Sequence, residues 1–211
     1  VPEAMPESRG RGLVLRETKT PTWTTNHVAV FRLNPPTGQA ATSQAWENAT
    51  DKVRAGGTFP EGGYLEAIVQ RSANSPWHGG RSYVDLLYPG VTEKFLELTM
   101  EPYRRELGGH FAKRIPGVFT DEPNIRPAGG LPWTDDLPEQ FQKRWDYDLR
   151  EHLPSLKLET GDWRRVRHNF FATLNDLFIE RWAKPYGAYC AKHGLEMTGH
   201  YWEHEWPHCS G

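Results

Sequence analysis

From residue 83 onward the chain alternates amphipathic helical stretches with two short apolar runs, and that rhythm restricts the fold more than any other feature. VTEKFLELTMEPYRREL (91–107) sets Val91, Phe95, Leu98, Pro102 and Tyr103 at helical spacing, with Thr92 as N-cap and Pro102 as a kink or break. IPGVFT (115–120) then reads as a short buried strand that stops at the polar run DEPN. In DLPEQFQKRWDYDLREHL, Asp136 with Glu139 three residues on and Pro138 in the first turn marks a helix start. The longest helical pattern covers 162–193, where Phe170, Phe171, Leu174, Leu177, Phe178 and Tyr189 trace one face and Pro185 predicts a kink. HGLEMTGH returns as a strand after Gly194, a natural helix terminator. Helix, strand, helix, helix, strand is the order of βα units on a parallel sheet.

A closed (β/α)8 barrel takes about 250 residues. This chain has 211 and shows two strands of that kind. The expectation is therefore an α/β fold: a partial (β/α)8 TIM-barrel fragment, or a partial sheet completed by another chain. Residues 1–82 form its β-rich, loop-rich N-terminal segment, and 83–211 carry the βα units. HVAVFRL (27–33) and YLEAIVQR (64–71) are β-rich runs, and PPTGQ and RAGGTFPEGG between them are turn chemistry. They predict a small antiparallel element with long loops. SANSPWHGGRS (72–82) reads as an irregular connection.

Net charge is −2, without the basic stripe of a nucleic-acid binder. No apolar run is long enough to span a membrane. The N-terminal VPEAMPESRGRG is no signal peptide, although one could have been removed. Nine Trp, eight Tyr and nine Phe divide between two readings, an aromatic core and exposed platforms for sugar rings. Cys190 and Cys209 could pair or stay free, and two cysteines do not fix the redox compartment.

Two runs carry chemistry. GVFTDEPN (117–124) ends a strand in Asp121 and Glu122. Barrel enzymes place catalytic groups at such C-terminal strand ends, where partial desolvation lifts a carboxyl toward proton donation. The plain alternative is a turn-capping Asp121 and a Glu122 paired with an arginine. TGHYWEHEWPHC (198–209) is the second run. His200, Glu203 and His204 spell H-x-x-E-H, a zinc-peptidase pattern that needs a helix to bring both imidazoles to one face. Gly199, Pro207 and the strand-like 194–198 argue for extended backbone instead. His200, Trp202 and His204 would then share one face, and Tyr201, Glu203 and Glu205 the other. A sugar-lining strand end, a structural aromatic cluster and a zinc site all stay open. Two carboxyls across a glycosidic bond are the minimum apparatus for glycoside hydrolysis.

DLLYPGVTEKFLELTMEPYRREL, GVFTDEPNI, LPWTDDLPEQFQKRWDYDL and HGLEMTGHYWEHEWP together resemble bacterial glycoside hydrolases near the α-L-rhamnosidases of glycoside hydrolase family 106, over roughly residues 83 to 208. That resemblance implies a (β/α)8 barrel, secretion or periplasmic export, and plant or microbial polysaccharide as substrate. It also implies an inverting reaction with a calcium ion holding the sugar, whose ligands do not map onto this chain. DEP is similar to the Asn-Glu-Pro of many retaining barrel glycosidases, which puts Glu122 on the acid. Asp121 departs from their Asn, and their nucleophile lies on a later strand. The expected reading is a glycoside hydrolase with Glu122 as general acid and Glu203 or Glu205 as second carboxylate. Asp121, His200 and His204 would hold sugar hydroxyls, with Trp202 and Tyr201 as the wall of the site. One alternative is a non-catalytic carbohydrate-binding or interaction fragment, and another is a zinc hydrolase through 200–204. An open sheet edge would favour homo-oligomers.

Overall fold

The computed structural model describes residues 1–33 and 45–200. Its strands are β1 (Arg11–Thr18), β2 (His27–Leu33), β3 (Trp46–Asn48), β4 (Gly63–Arg71), β5 (Asn74–Ser75), β6 (Arg81–Ser82), β7 (Gly117–Asp121), β8 (Leu131–Pro132) and β9 (Glu196–His200). The α-helices are α1 (Thr50–Arg54), α2 (Val91–Phe95), α3 (Glu101–Leu107), α4 (Leu137–Trp145), α5 (Trp163–Phe178) and α6 (Lys184–Lys192). By internal contacts the chain divides into two units of discontinuous sequence. One holds residues 11–72 and 128–175, the other 1–10, 73–127 and 176 onward. The whole is mixed α/β. The described residues form no closed barrel; their larger sheet is antiparallel and their parallel component is the pair β7–β9.

The first unit is built on a five-stranded sheet of order β3-β2-β4-β1-β8 with every pairing antiparallel. This realises the antiparallel element expected from 27–33 and 64–71, and adds β1, whose GLVLRET run was not recognised. Alternation along the strands buries both faces. Phe31, Leu65, Ala67 and Leu13 lie on one, all almost fully inaccessible. Val30 and Tyr64 lie on the other, under Val53 of α1 and beside Trp23 and Phe59.

Glu66 sits among these side chains with 1% of its surface exposed. Arg16, its register partner on β1, donates to Oε2 from Nε at 3.0 Å and Nη2 at 2.7 Å. The Thr22 N–H donates to Oε1 at 2.8 Å. Burial by itself would raise the Glu66 carboxyl, but the Thr22 and Arg16 hydrogen bonds together hold it below the usual range.

The predicted helix from Asp136 is shorter than its pattern. Asp146 adopts φ 60° and ends α4, and Asp148 caps a separate 3-10 segment, Leu149–Leu156, by accepting from the Arg150 N–H. Asp136 is the N-cap residue, yet its carboxylate accepts from Gln140 Nε2 at 3.0 Å, while Glu139 pairs with Arg150.

In the second unit both prolines expected to kink a helix follow a π-helical stretch. Leu96–Met100 precedes Pro102 of α3, and Ile179–Ala183 precedes Pro185 of α6. A widened turn relieves the clash of a ring with the carbonyl four residues back. Pro185 also has no N–H to offer the Arg181 carbonyl. That carbonyl accepts from Thr92 Oγ1 at 2.7 Å, and Thr92 is fully buried. Thr92 is therefore not the N-cap expected from sequence: Gly90, at φ 80°, takes that position. Phe95 meets Tyr186 edge-on at 5.8 Å, so α2 packs against α6. Gly194 ends α6 as expected. At φ 68° its N–H reaches the Ala191 carbonyl and the Leu195 N–H reaches that of Cys190, the double closure of a Schellman motif. Cys190 is a buried free thiol whose ionisation burial pushes up, and Cys209 lies outside the described residues. No helix among the described residues is long and apolar enough to cross a membrane.

Candidate functional site

The two strands expected to carry the site are neighbours. β7 and β9 pair in parallel, with Gly117 opposite Glu196 and Asp121 opposite His200, so both C-terminal ends fall at one level. Gly199 permits that closeness. A Cβ there would lie 1.9 Å from the Thr120 carbonyl oxygen, and its φ of 153° is one that side chains rarely adopt. The parallel pairing itself follows from the chain's course, since α6 turns at Gly194 and delivers β9 alongside β7.

At the shared end His200 Nδ1 lies 3.4 Å from Asp121 Oδ1. The Glu122 N–H donates to the His200 carbonyl at 2.9 Å, extending the pairing one residue past the strand. Glu122 then takes φ 41° immediately before Pro123. Positive φ is uncommon for a residue with a side chain, and a following proline pushes its neighbour toward extended backbone. Such a conformation stores on the order of 1–3 kcal/mol. Phe119 meets His200 edge-on at 5.2 Å.

The strand was expected to be buried, with its carboxyls partly desolvated. It is instead half-open. Phe119 is 59% exposed, and the Asp121 and His200 side chains are 72% and 53% exposed. Among the described residues no further strand flanks this two-stranded ribbon, and its apolar pattern does not translate into burial. Asp121, Glu122 and His200 are therefore brought together at an exposed strand end.

Sequence reading passed over the neighbours of this end. Residues 72–82 are not an irregular connection: β5 and β6 pair around a 3-10 turn, Pro76–His78. Ser75 Oγ accepts from the Trp77 N–H at 3.2 Å, and Gly79 and Gly80 close the turn at positive φ. Trp77 stands 89% exposed on it. The His78 ring lies 5.1 Å from that of Tyr83, whose hydroxyl accepts from the Asn124 N–H at 3.2 Å. Burial pushes the Tyr83 phenol up, and the Asn124 hydrogen bond opposes it. The hairpin is thus tied to the segment just after Glu122. Pro76 with Gly79-Gly80 was the available turn signal.

Tyr201, Trp202, Glu203, His204 and Glu205 lie outside the described residues. His200, the first member of H-x-x-E-H, is on a strand and not on the helix that the zinc pattern uses. Calcium takes about 6–8 oxygen ligands. Among the described residues no group of three or more His, Cys, Asp or Glu is placed to hold a metal ion.

No protein-family model matches the chain, and no curated protein matches it. Among solved structures it is similar to a rhamnosidase from Novosphingobium sp. PP1Y, at 22% identity and a TM-score of 0.50. The match covers 74% of this chain and 16% of that one, so the chain spans about a sixth of the length of its neighbour. At this identity the likeness speaks to the fold.

Proposed function

We propose that the chain carries part of a glycoside hydrolase related to α-L-rhamnosidases, in which the unit holding β7 and β9 supplies βα units of a (β/α)8 barrel and the antiparallel-sheet unit accompanies it. The observation that carries this reading is the meeting of Asp121, Glu122 and His200 at the coincident C-terminal ends of two parallel strands. That is where barrel enzymes concentrate their reacting groups. The strained backbone of Glu122 supports a role for that residue beyond packing. The likeness to a rhamnosidase structure agrees in kind.

In this reading the Glu122 carboxyl protonates the departing glycosidic oxygen as the bond to the anomeric carbon breaks. Glu203 or Glu205 takes a proton from water as its oxygen attacks that carbon, or attacks directly if configuration is retained. Asp121, His200 and His204 hold hydroxyls, and Tyr201 and Trp202 wall the ring. The substrate is an oligo- or polysaccharide, met outside the cell or in the periplasm. Open edges on the β7–β9 pair favour self-association.

Hydrolysis of an aryl α-L-rhamnoside tests the assignment. Glu122→Gln lowers turnover by about 10²–10⁴-fold, the scale of one general acid, with an unchanged melting temperature. Full activity in that variant would sink it. The second reading is a carbohydrate-binding fragment without catalysis, favoured by the exposure of Asp121 and His200. Sugar binding with no hydrolysis by the wild-type chain would select it.

A further inference from the structure

The antiparallel sheet holds a second place where polar groups converge. Arg32 of β2 is the register partner of both Glu47 on β3 and Tyr64 on β4. Side chains directly opposite on a sheet stand roughly 4.5–5.5 Å apart at Cβ, so the three form a row across three strands. With Lys52 of α1 and Phe59 of the following loop they line a cavity of about 360 Å³. Ligand pockets begin at roughly 300 Å³, so the cavity admits a molecule the size of one sugar ring.

Three of its polar groups are already engaged. Lys52 Nζ lies 3.1 Å from Glu47 Oε1, and the Tyr64 hydroxyl donates to the Pro60 carbonyl at 3.0 Å. Arg32 is the exception. It is half-buried, and among the described residues it has neither a hydrogen-bond acceptor nor an ion-pair partner. Its guanidinium offers a planar fork of donors that matches a carboxylate. Lys52 and Glu47 cancel, so the lining carries one positive charge in excess. Phe59, half-buried and edge-on to the buried Tyr64 at 6.3 Å, supplies an apolar wall beside it.

We propose that this cavity binds a small ring-bearing monocarboxylate, such as a uronic acid, free or at the end of a glycan. The carboxylate lies on Arg32 and the ring along Phe59. The site is separate from the β7–β9 strand end and stands whether or not that end is catalytic.

Calorimetric titration of the 211-residue chain with D-glucuronate, D-glucose and acetate tests it. Glucuronate binds, and glucose and acetate bind at least about tenfold more weakly, a difference of about 1.4 kcal/mol. Arg32→Gln loses about tenfold in glucuronate affinity, while Arg32→Lys keeps part of it. Lys52→Gln loses less, because Lys52 is exposed and already paired. Arg32→Gln melts as the wild type does, since Arg32 gives up no partner among the described residues. Should it unfold, Arg32→Lys and Phe59→Ala carry the test. Equal binding of glucose and glucuronate overturns the proposal, as does unchanged affinity in Arg32→Gln. Absence of glucuronate binding at millimolar concentration overturns it too. Acetate binding as tightly as glucuronate would leave a bare anion site and overturn the ring.

Discussion

The five-stranded sheet and the β7–β9 pair handle carboxylates in opposite ways. Glu66 is buried on a central strand and held by Arg16 and Thr22. Asp121 and Glu122 stand in water at the end of a two-stranded ribbon. By burial alone Glu66 would be the first candidate for an unusual acid. Its partners hold it ionised, however, and an acid locked as a carboxylate has no proton to give. Asp121 and Glu122 have their position set by strand pairing and not by burial. Burial identifies what the fold needs. Convergence at strand ends identifies what a ligand can reach.

The largest expected effect tests whether the two regions differ in burial in solution. Phe31→Ala, in the fully covered face of the sheet, costs about 3–5 kcal/mol of stability by chemical denaturation. Phe119→Ala on β7 costs under about 0.5 kcal/mol, the usual range for surface sites. Equal losses would break the comparison and show that the ribbon is covered in solution. Size-exclusion chromatography of the wild type would then read out the second copy that covers it.

Next comes Glu66→Gln, which keeps the shape and removes the charge. It costs about 1.5–3 kcal/mol at pH 7, the range for hydrogen bonds to a charged group. The Glu66 carboxyl is held below its ordinary value in the folded state. Its stabilisation is therefore present above the unfolded carboxyl pKa of about 4.3 and fades as pH falls through the folded value. Denaturation curves for wild type and variant should converge in acid. A gap that stays constant down to pH 2 would show that the cost of the substitution does not come from the lost charge.

Legibility in the sequence followed the same divide. Local signals were reliable: β2 and β4 appeared from alternation, Gly194 ended its helix, and the strand at 117–121 and the return strand at 196–200 were seen. Pro102 and Pro185 were recognised as disturbances, though their form, a π-helical stretch before each, was not. What failed depended on partners far along the chain. The run that makes β1 is unremarkable until Arg11–Thr18 finds Tyr64–Arg71 opposite it. The apolar look of 115–120 promised burial that a two-stranded ribbon does not provide. The hairpin carrying Trp77 was read as loop because each of its strands is two residues long. Of the proposed site, Asp121, Glu122 and His200 lie together at one strand end. Tyr83 and His78 were missed because only the folded contact with Asn124 brings them near.

Thr92 sharpens the comparison inside the unit that carries the ribbon, since α6, which it supports, packs against β9. Thr92→Val keeps volume but leaves the Arg181 carbonyl without its donor, at a cost of about 1–2 kcal/mol. In a Pro185→Ala background the backbone N–H of residue 185 can serve that carbonyl, and the cost should shrink. An unchanged cost in the double variant would mean that Thr92 acts through packing.

The smallest effect speaks most directly to Glu122. At an ordinary strand position alanine is more stable than glycine by roughly 0.5–1 kcal/mol, because glycine has more freedom to lose. Thr120 is such a position in β7, and Thr120→Ala should exceed Thr120→Gly by about that amount. Glu122 holds φ 41°, where a Cβ is penalised. There the order reverses, and Glu122→Gly should exceed Glu122→Ala by about 0.5–1 kcal/mol. Both variants remove the same carboxylate, so the difference isolates backbone strain from any contact the side chain makes. If alanine wins at both positions, Glu122 is unstrained and its candidacy rests on location alone. A reversal confined to residue 122 means the fold tolerates a penalty at the one residue that geometry nominates as the acid. Activity in Glu122→Gly would still be absent, and a variant more stable than its alanine counterpart yet inactive would separate what this strand end does for folding from what it does for a ligand.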